Sequence, residues 1–187
     1  MSKRRLPHIY PEDGWLFVTW HLHGSLPKAL YPPPGASSAG KAFVWMDRYL
    51  DTTRLGPMFL RRPEVARLVV EALRAGLAMG LYDLRAFVIM GNHVHVLFRP
   101  KQNASRVLQW LKGTTARHAN LVLARTGKPF WQRESYDHWV RDEQQMERIV
   151  VYIENNPVQA GLAAVSSQYQ WSSAWRGDGE LKLAAAR

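Results

Sequence analysis

Apolar residues along this chain repeat with two different periods. WLFVTWHLHG, residues 15–24, is dense in aromatic and β-branched residues and reads as a strand. RRPEVARLVVEALRAGLAMG, 61–80, sets Val65, Leu68, Val69 and Leu73 at helical spacing, with Pro63 near its first turn and Gly76 and Gly80 near its end. That pattern predicts a helix. LYDLRAFVIM, 81–90, reads as a second strand. NHVHVLFRP follows a Gly91-Asn92 turn as a third, so these two strands predict a hairpin. Residues 103–127 read as helical, weakened around Gly113, and 128–142 as extended or irregular. DEQQMERIVVYIENNP, 142–157, predicts a helix that opens on acidic residues and stops at Pro157.

Between the first strand and the first long helix the pattern lapses. SLPKALYPPPGASSAGKA holds four prolines and two glycines, which is loop chemistry. It predicts a proline-rich insert at about 24–56, with a short helix over 43–50, long enough to act as a flap. The tail from about 166 is expected to be peripheral. Strands and helices segregate, so the order predicts a single α+β domain with an antiparallel sheet backed by helices.

Composition narrows the functional classes. The chain has 187 residues, 47% of them hydrophobic, enough for one ordinary core. It has no cysteine, so any metal must be held by nitrogen or oxygen ligands. Lys and Arg number 25 against 15 Asp and Glu, a net charge of +10 that favours an anionic partner, most commonly nucleic acid. No run reaches the roughly 18 apolar residues of a membrane span, and the basic N-terminus has no apolar signal core. A cytoplasmic location and no membrane partner are the expectations.

His93 and His95 sit two apart on a predicted strand and share a face, while Val94, Val96 and Phe98 point the other way, into a core. Two imidazoles at that spacing suit one divalent ion, and equally a polar strand face. His21 and His23 form a rival pair at a strand end. Neither pair has a carboxylate beside it, so a further ligand must come from elsewhere in the chain. On the last helix Met146, Ile149, Val150 and Ile153 make a buried stripe, and Tyr152 and Asn156 stand one turn apart on an adjacent face. A phenol beside a carboxamide suits a nucleophile next to a neutral oxygen ligand; it equally suits a core aromatic and a helix-end amide.

Taken together, FVIMGNHVHVLF, LKGTTARHAN, PFWQRESYDHWVRDE, IVVYIENNPVQAGL and YQWSSA resemble the IS200-like single-tyrosine (HUH) transposases, and more closely the REP-associated tyrosine transposases. The resemblance spans most of residues 56–174. It implies a ferredoxin-like α+β fold and a metal site, Mg2+ or Mn2+, held by His93, His95 and Asn156. It implies Tyr152 as the nucleophile that cleaves and rejoins single-stranded or hairpin DNA through a 5′-phosphotyrosine. Tyr136 is a second candidate, but its segment reads as extended and it lacks a polar partner at helical spacing. The resemblance covers dimers that share sites as well as monomers. For DNA contacts the basic and aromatic residues around the motifs are Arg99, Lys101, Lys112, Arg117, Arg133 and Arg141, with Trp110, Trp131 and Trp139 as stacking surfaces. The alternatives are a transposase-derived protein that grips hairpins without cutting, a metal hydrolase using water, and an RNA-binding α+β module.

Overall fold

The computed structural model of the chain describes residues 14–27 and 39–177. Four strands, β1 (Leu16–His21), β2 (Tyr82–Ile89), β3 (His93–Pro100) and β4 (Tyr136–Trp139), form one sheet in the order β2-β3-β1-β4. All neighbouring pairs are antiparallel. Four helices, α1 (Ala39–Thr52), α2 (Pro63–Ala78), α3 (Ala104–Val122) and α4 (Glu143–Gln159), complete the domain. The sequence β1-α2-β2-β3-α3-β4 with this strand order is the ferredoxin-like α+β arrangement.

Alternation divides the sheet between two cores. Val18, Trp20, Val94, Val96 and Phe98 pack with Val65, Val69 and Leu73 of α2 and Val107 and Leu111 of α3. The opposite face carries Phe17, Ala86, Val88 and Leu97, packed with Met146 and Ile153 of α4 and with the half-buried Phe43 of α1. In β2 the alternation is broken by an irregularity between Leu84 and Ala86. That step lets Leu84 serve the first core and Ala86 the second. Both faces of β3 are thus covered, and the histidine face is as closed as the valine face.

Several expectations change here. The segment from about 24 to 56 is not only loop: α1 occupies Ala39–Thr52, longer than the helix expected at 43–50, while 28–38 lie outside the described residues. Helix α3 runs unbroken through Gly113, because the surrounding residues supply the packing that one glycine lacks. Pro157 does not stop α4. It sits buried in the last turn, and the stop comes at Gly161, whose positive φ of 68° lets the N–H groups of Gly161 and Leu162 reach Val158 and Pro157 carbonyls. The described part of the tail is not peripheral either. Val88 bridges Ser172, the Ile89 and Ser173 amides bond Trp171 and Phe87 carbonyls at 2.9 Å, and Ser172, Ser173 and Ala174 are buried along β2.

A candidate metal and tyrosine site

On β3, His93 and His95 point into the second core, both with no exposed surface. Their neighbours orient them. The Asn92 amide donates from Nδ2 to the Leu50 carbonyl at 3.0 Å, which turns Oδ1 toward His93 Nδ1 at 2.7 Å. Oδ1 can only accept, so His93 carries its proton on Nδ1 and offers the Nε2 lone pair. On β1, Thr19 Oγ1 stands 2.7 Å from His95 Nδ1 and is able to accept in the same way. The two Nε2 atoms then face one another at 3.1 Å.

Carboxylates arrive from α1, on the segment read as insert. Asp47 Oδ1 lies 3.2 Å from His95 Nε2 and 3.9 Å from His93 Nε2, and Asp51 Oδ1 lies 3.5 Å from His93 Nε2. These are the ligands the sequence reading lacked. A signal was present: in FVWMDRYLDT the two aspartates stand one helical turn apart, beside Phe43 and Leu50. From α4, Asn156 is wholly buried and its Nδ2 lies 3.5 Å from His95 Nε2. Tyr152, one turn earlier, donates its hydroxyl to Asp47 Oδ2 and packs its ring edge-on to His95, with centroids 5.6 Å apart.

Electrostatics fit a bound cation. Burial, then the neighbouring His95, pushes His93 down to about 3, so it is neutral at physiological pH. Burial alone would raise the Asp47 carboxyl, but the neighbouring His95, and then His93 by charge, hold it below its ordinary range. Burial and then Asp47 push Asp51 up to about 7. Asp47 Oδ1, Asp51 Oδ1 and Asn156 Oδ1 are buried and make no hydrogen bond among the described residues. Unmatched buried oxygens cost roughly 1–3 kcal/mol each, more when charged. Asp47, His93 and His95 place their ligand atoms within 4.8 Å of one another. Neighbouring ligands at right angles and about 2.1–2.2 Å from one ion stand roughly 3.1 Å apart. The 3.1 and 3.2 Å edges match that spacing, and the third, 3.9 Å from Asp47 Oδ1 to His93 Nε2, is longer.

The remaining candidates fall elsewhere. His21 shares the face of His93 but bonds Ser25 Oγ at 2.9 Å, and His23, past the strand end, is exposed, so this pair does not converge. Tyr136 on β4 stacks on Phe43 at 4.2 Å, and burial raises its hydroxyl. Arg99 is paired with Asp83 at 2.7 Å and lies over Trp15, and Lys101 joins the same carboxylate at 2.7 Å. Lys112 bonds the carbonyls of Gln132 and Arg133, tying α3 to the segment that leads into β4. Trp131 is 8% exposed and its Nε1 donates to Thr115, while part of its ring lines the cleft beside α3. Arg117, Arg133 and Arg141 are exposed. A cleft of about 540 Å3 between α3 and residues 128–135 is lined by Gln109, Lys112, Lys128 and Arg133.

Fold and site define a ferredoxin-like domain whose second strand of a hairpin presents a buried histidine pair to a tyrosine-bearing helix. The family model described as "Transposase IS200 like" matches residues 62–156, just over half of the 187, and the chain belongs to that family. A REP-associated tyrosine transposase solved bound to a REP hairpin is similar in fold, with a TM-score of 0.58 and 17% identity over 95% of this chain and 93% of that one. A Deinococcus radiodurans crystal structure, provisionally assigned as a transposase, aligns at 0.44 with 20% identity over 83% of this chain and 98% of that one. No curated protein matches the sequence. Among the described residues no helix is long and apolar enough to cross a membrane.

Proposed function

We propose that this transposase cleaves and rejoins single-stranded DNA carrying a hairpin or palindromic repeat, using Tyr152 as nucleophile. One observation carries the reading. Tyr152 and Asn156, one turn apart on α4, both meet His95 of the buried pair on β3. A phenol adjoining a nitrogen and oxygen donor set suits phosphoryl transfer to tyrosine better than hydrolysis by water.

His93, His95 and Asn156, with Asp47 added, would hold the divalent ion, Mg2+ or Mn2+. Bound there, it supplies positive charge to the oxygens of the scissile phosphate. Tyr152 Oη attacks phosphorus in line; the O3′–P bond breaks, giving a 5′-phosphotyrosine and a free 3′ hydroxyl. A second 3′ hydroxyl reverses the step on a new strand, and the tyrosine is restored. Because Tyr152 lies against its own chain's His95, we propose that it acts in cis, so no dimer is needed for cleavage. Exposed Arg117, Arg133 and Arg141 and the cleft beside α3 offer cations to the phosphate backbone. A DNA partner supports a cytoplasmic location.

The test uses labelled hairpin-bearing single-stranded DNA, Mn2+ and denaturing electrophoresis. Wild type is expected to give a denaturant-resistant protein–DNA adduct, and Tyr152→Phe none. The His93→Ala, His95→Ala double variant is expected to lose at least about 100-fold, equivalent to ~2.7 kcal/mol. As much adduct from Tyr152→Phe as from wild type would sink the nucleophile. Tight binding with no adduct from any form would favour a silent hairpin-binding protein.

A further inference from the structure

Asp47 sits where a helix normally hides its apolar stripe. Phe43, Asp47 and Leu50 fall at i, i+4 and i+7 of α1, and this face turns toward the sheet. Phe43 packs edge-on to Phe17 at 5.5 Å, and Leu50 and Asp47 are 2% and 5% exposed. A carboxylate in that row is costly unless its oxygens are met. The two oxygens are met differently. Oδ2 accepts the Tyr152 hydroxyl, while Oδ1 makes no hydrogen bond and faces His95 and His93 at 3.2 and 3.9 Å. The helix itself is clamped to the histidine strand, because Asn92 bonds both the Leu50 carbonyl and His93. Asp51 Oδ1 comes within 3.5 Å of His93 Nε2.

The geometry points to Asp47 as the residue that couples the two halves of the site: a ligand of the divalent ion through Oδ1, and the positioning residue of the Tyr152 hydroxyl through Oδ2. This rests on the tyrosine chemistry proposed above. It assigns a role in that chemistry to α1, which lies outside the 62–156 segment matched by the family model. One rigid carboxylate spanning ion and phenol fixes their separation, which free side chains would leave variable. Asp47 does not touch the DNA in this reading; it acts through what it holds.

Mn2+ binding without DNA is measured first, by electron paramagnetic resonance of the free ion. Asp47→Asn is nearly the same size as the original and is expected to bind at least about tenfold more weakly. Mn2+ added to wild type is expected to perturb tyrosine absorbance, and Tyr152→Phe to lose that difference band. Adduct formation is then followed in single turnover at saturating Mn2+. Asp47→Asn is expected to be about 100-fold slower with DNA affinity unchanged, and Asp47→Glu to recover part of that loss. Wild-type Mn2+ affinity in Asp47→Asn overturns the ligand role. An unchanged adduct rate, or the absence of any tyrosine perturbation in wild type, overturns the coupling. If wild type forms no adduct at all, the tyrosine-nucleophile reading fails, while the Mn2+ comparison still decides whether Asp47 is a ligand.

Discussion

Which nitrogen of a buried histidine is free depends on the atom behind it. Asn92 settles this for His93, since its own amide nitrogen is held by the Leu50 carbonyl. Thr19 supports His95 with a single hydroxyl 2.7 Å from Nδ1. Thr19→Val keeps the shape and removes that oxygen, so His95 loses its anchor without a change in volume. We expect Mn2+ affinity to fall about tenfold, with a stability cost of about 1–3 kcal/mol for the unmatched ring nitrogen. Titration calorimetry with and without the substitution checks this, and an unchanged affinity would mean that Thr19 does not orient the ring. The same attention to partners removes other candidates. Trp131 and Lys112 each spend their polar atoms inside the fold, and Arg99 spends its own on Asp83.

Among the elements, α2 and α3 show two different uses of a glycine inside a helix. Gly113 lies mid-helix, exposed, and a β-carbon built there meets nothing within 4 Å. Gly113→Ala is therefore expected to raise stability by about 0.5–1 kcal/mol, read as a higher midpoint in urea. A lower midpoint would show that the helix needs glycine there. Gly76 differs: its β-carbon would meet the Tyr82 hydroxyl, which packs into that gap and bonds the Leu73 carbonyl at 2.7 Å. Helix α1 matters most for the site, since its buried face combines Phe43 and Leu50 with Asp47.

At the scale of the molecule, burying histidines makes the fold sensitive to acid. Burial lowers His21 from 6.5 to about 4, and His93 from 6.5 to about 3. Between those values and 6.5 the unfolded chain binds two protons that the folded chain refuses. Asp51, raised from 3.8 to about 7, acts the other way by one proton. The net is one proton more on the unfolded chain, so stability is full above about pH 6.5 and falls toward pH 4 at about 1.4 kcal/mol per pH unit. Melting in chelator at pH 7 and pH 5 should show the drop, and His21→Phe should reduce it. A melting temperature that does not fall between pH 7 and 5 would mean that these rings are not shielded from water. The charge of +10 is a property of the same scale: it favours a polyanion without saying which side chains touch it.

Much of this protein was legible in its residues because strand and helix periods are local. A period of two put His93 and His95 on one face and Val94, Val96 and Phe98 on the other, as the sheet has them. A period of 3.6 put Tyr152 and Asn156 side by side, and both do meet His95. The element order already implied an antiparallel α+β domain. Tertiary structure alone decided what covers each face. It brought Asp47 and Asp51 from a segment that reads mainly as loop, sealed both histidines from solvent, and drew the described tail onto the edge of β2. It also turned Trp131 inward and occupied Lys112. Periodicity is set by backbone geometry within a few residues; burial and pairing depend on which distant surface arrives, and no local pattern contains that.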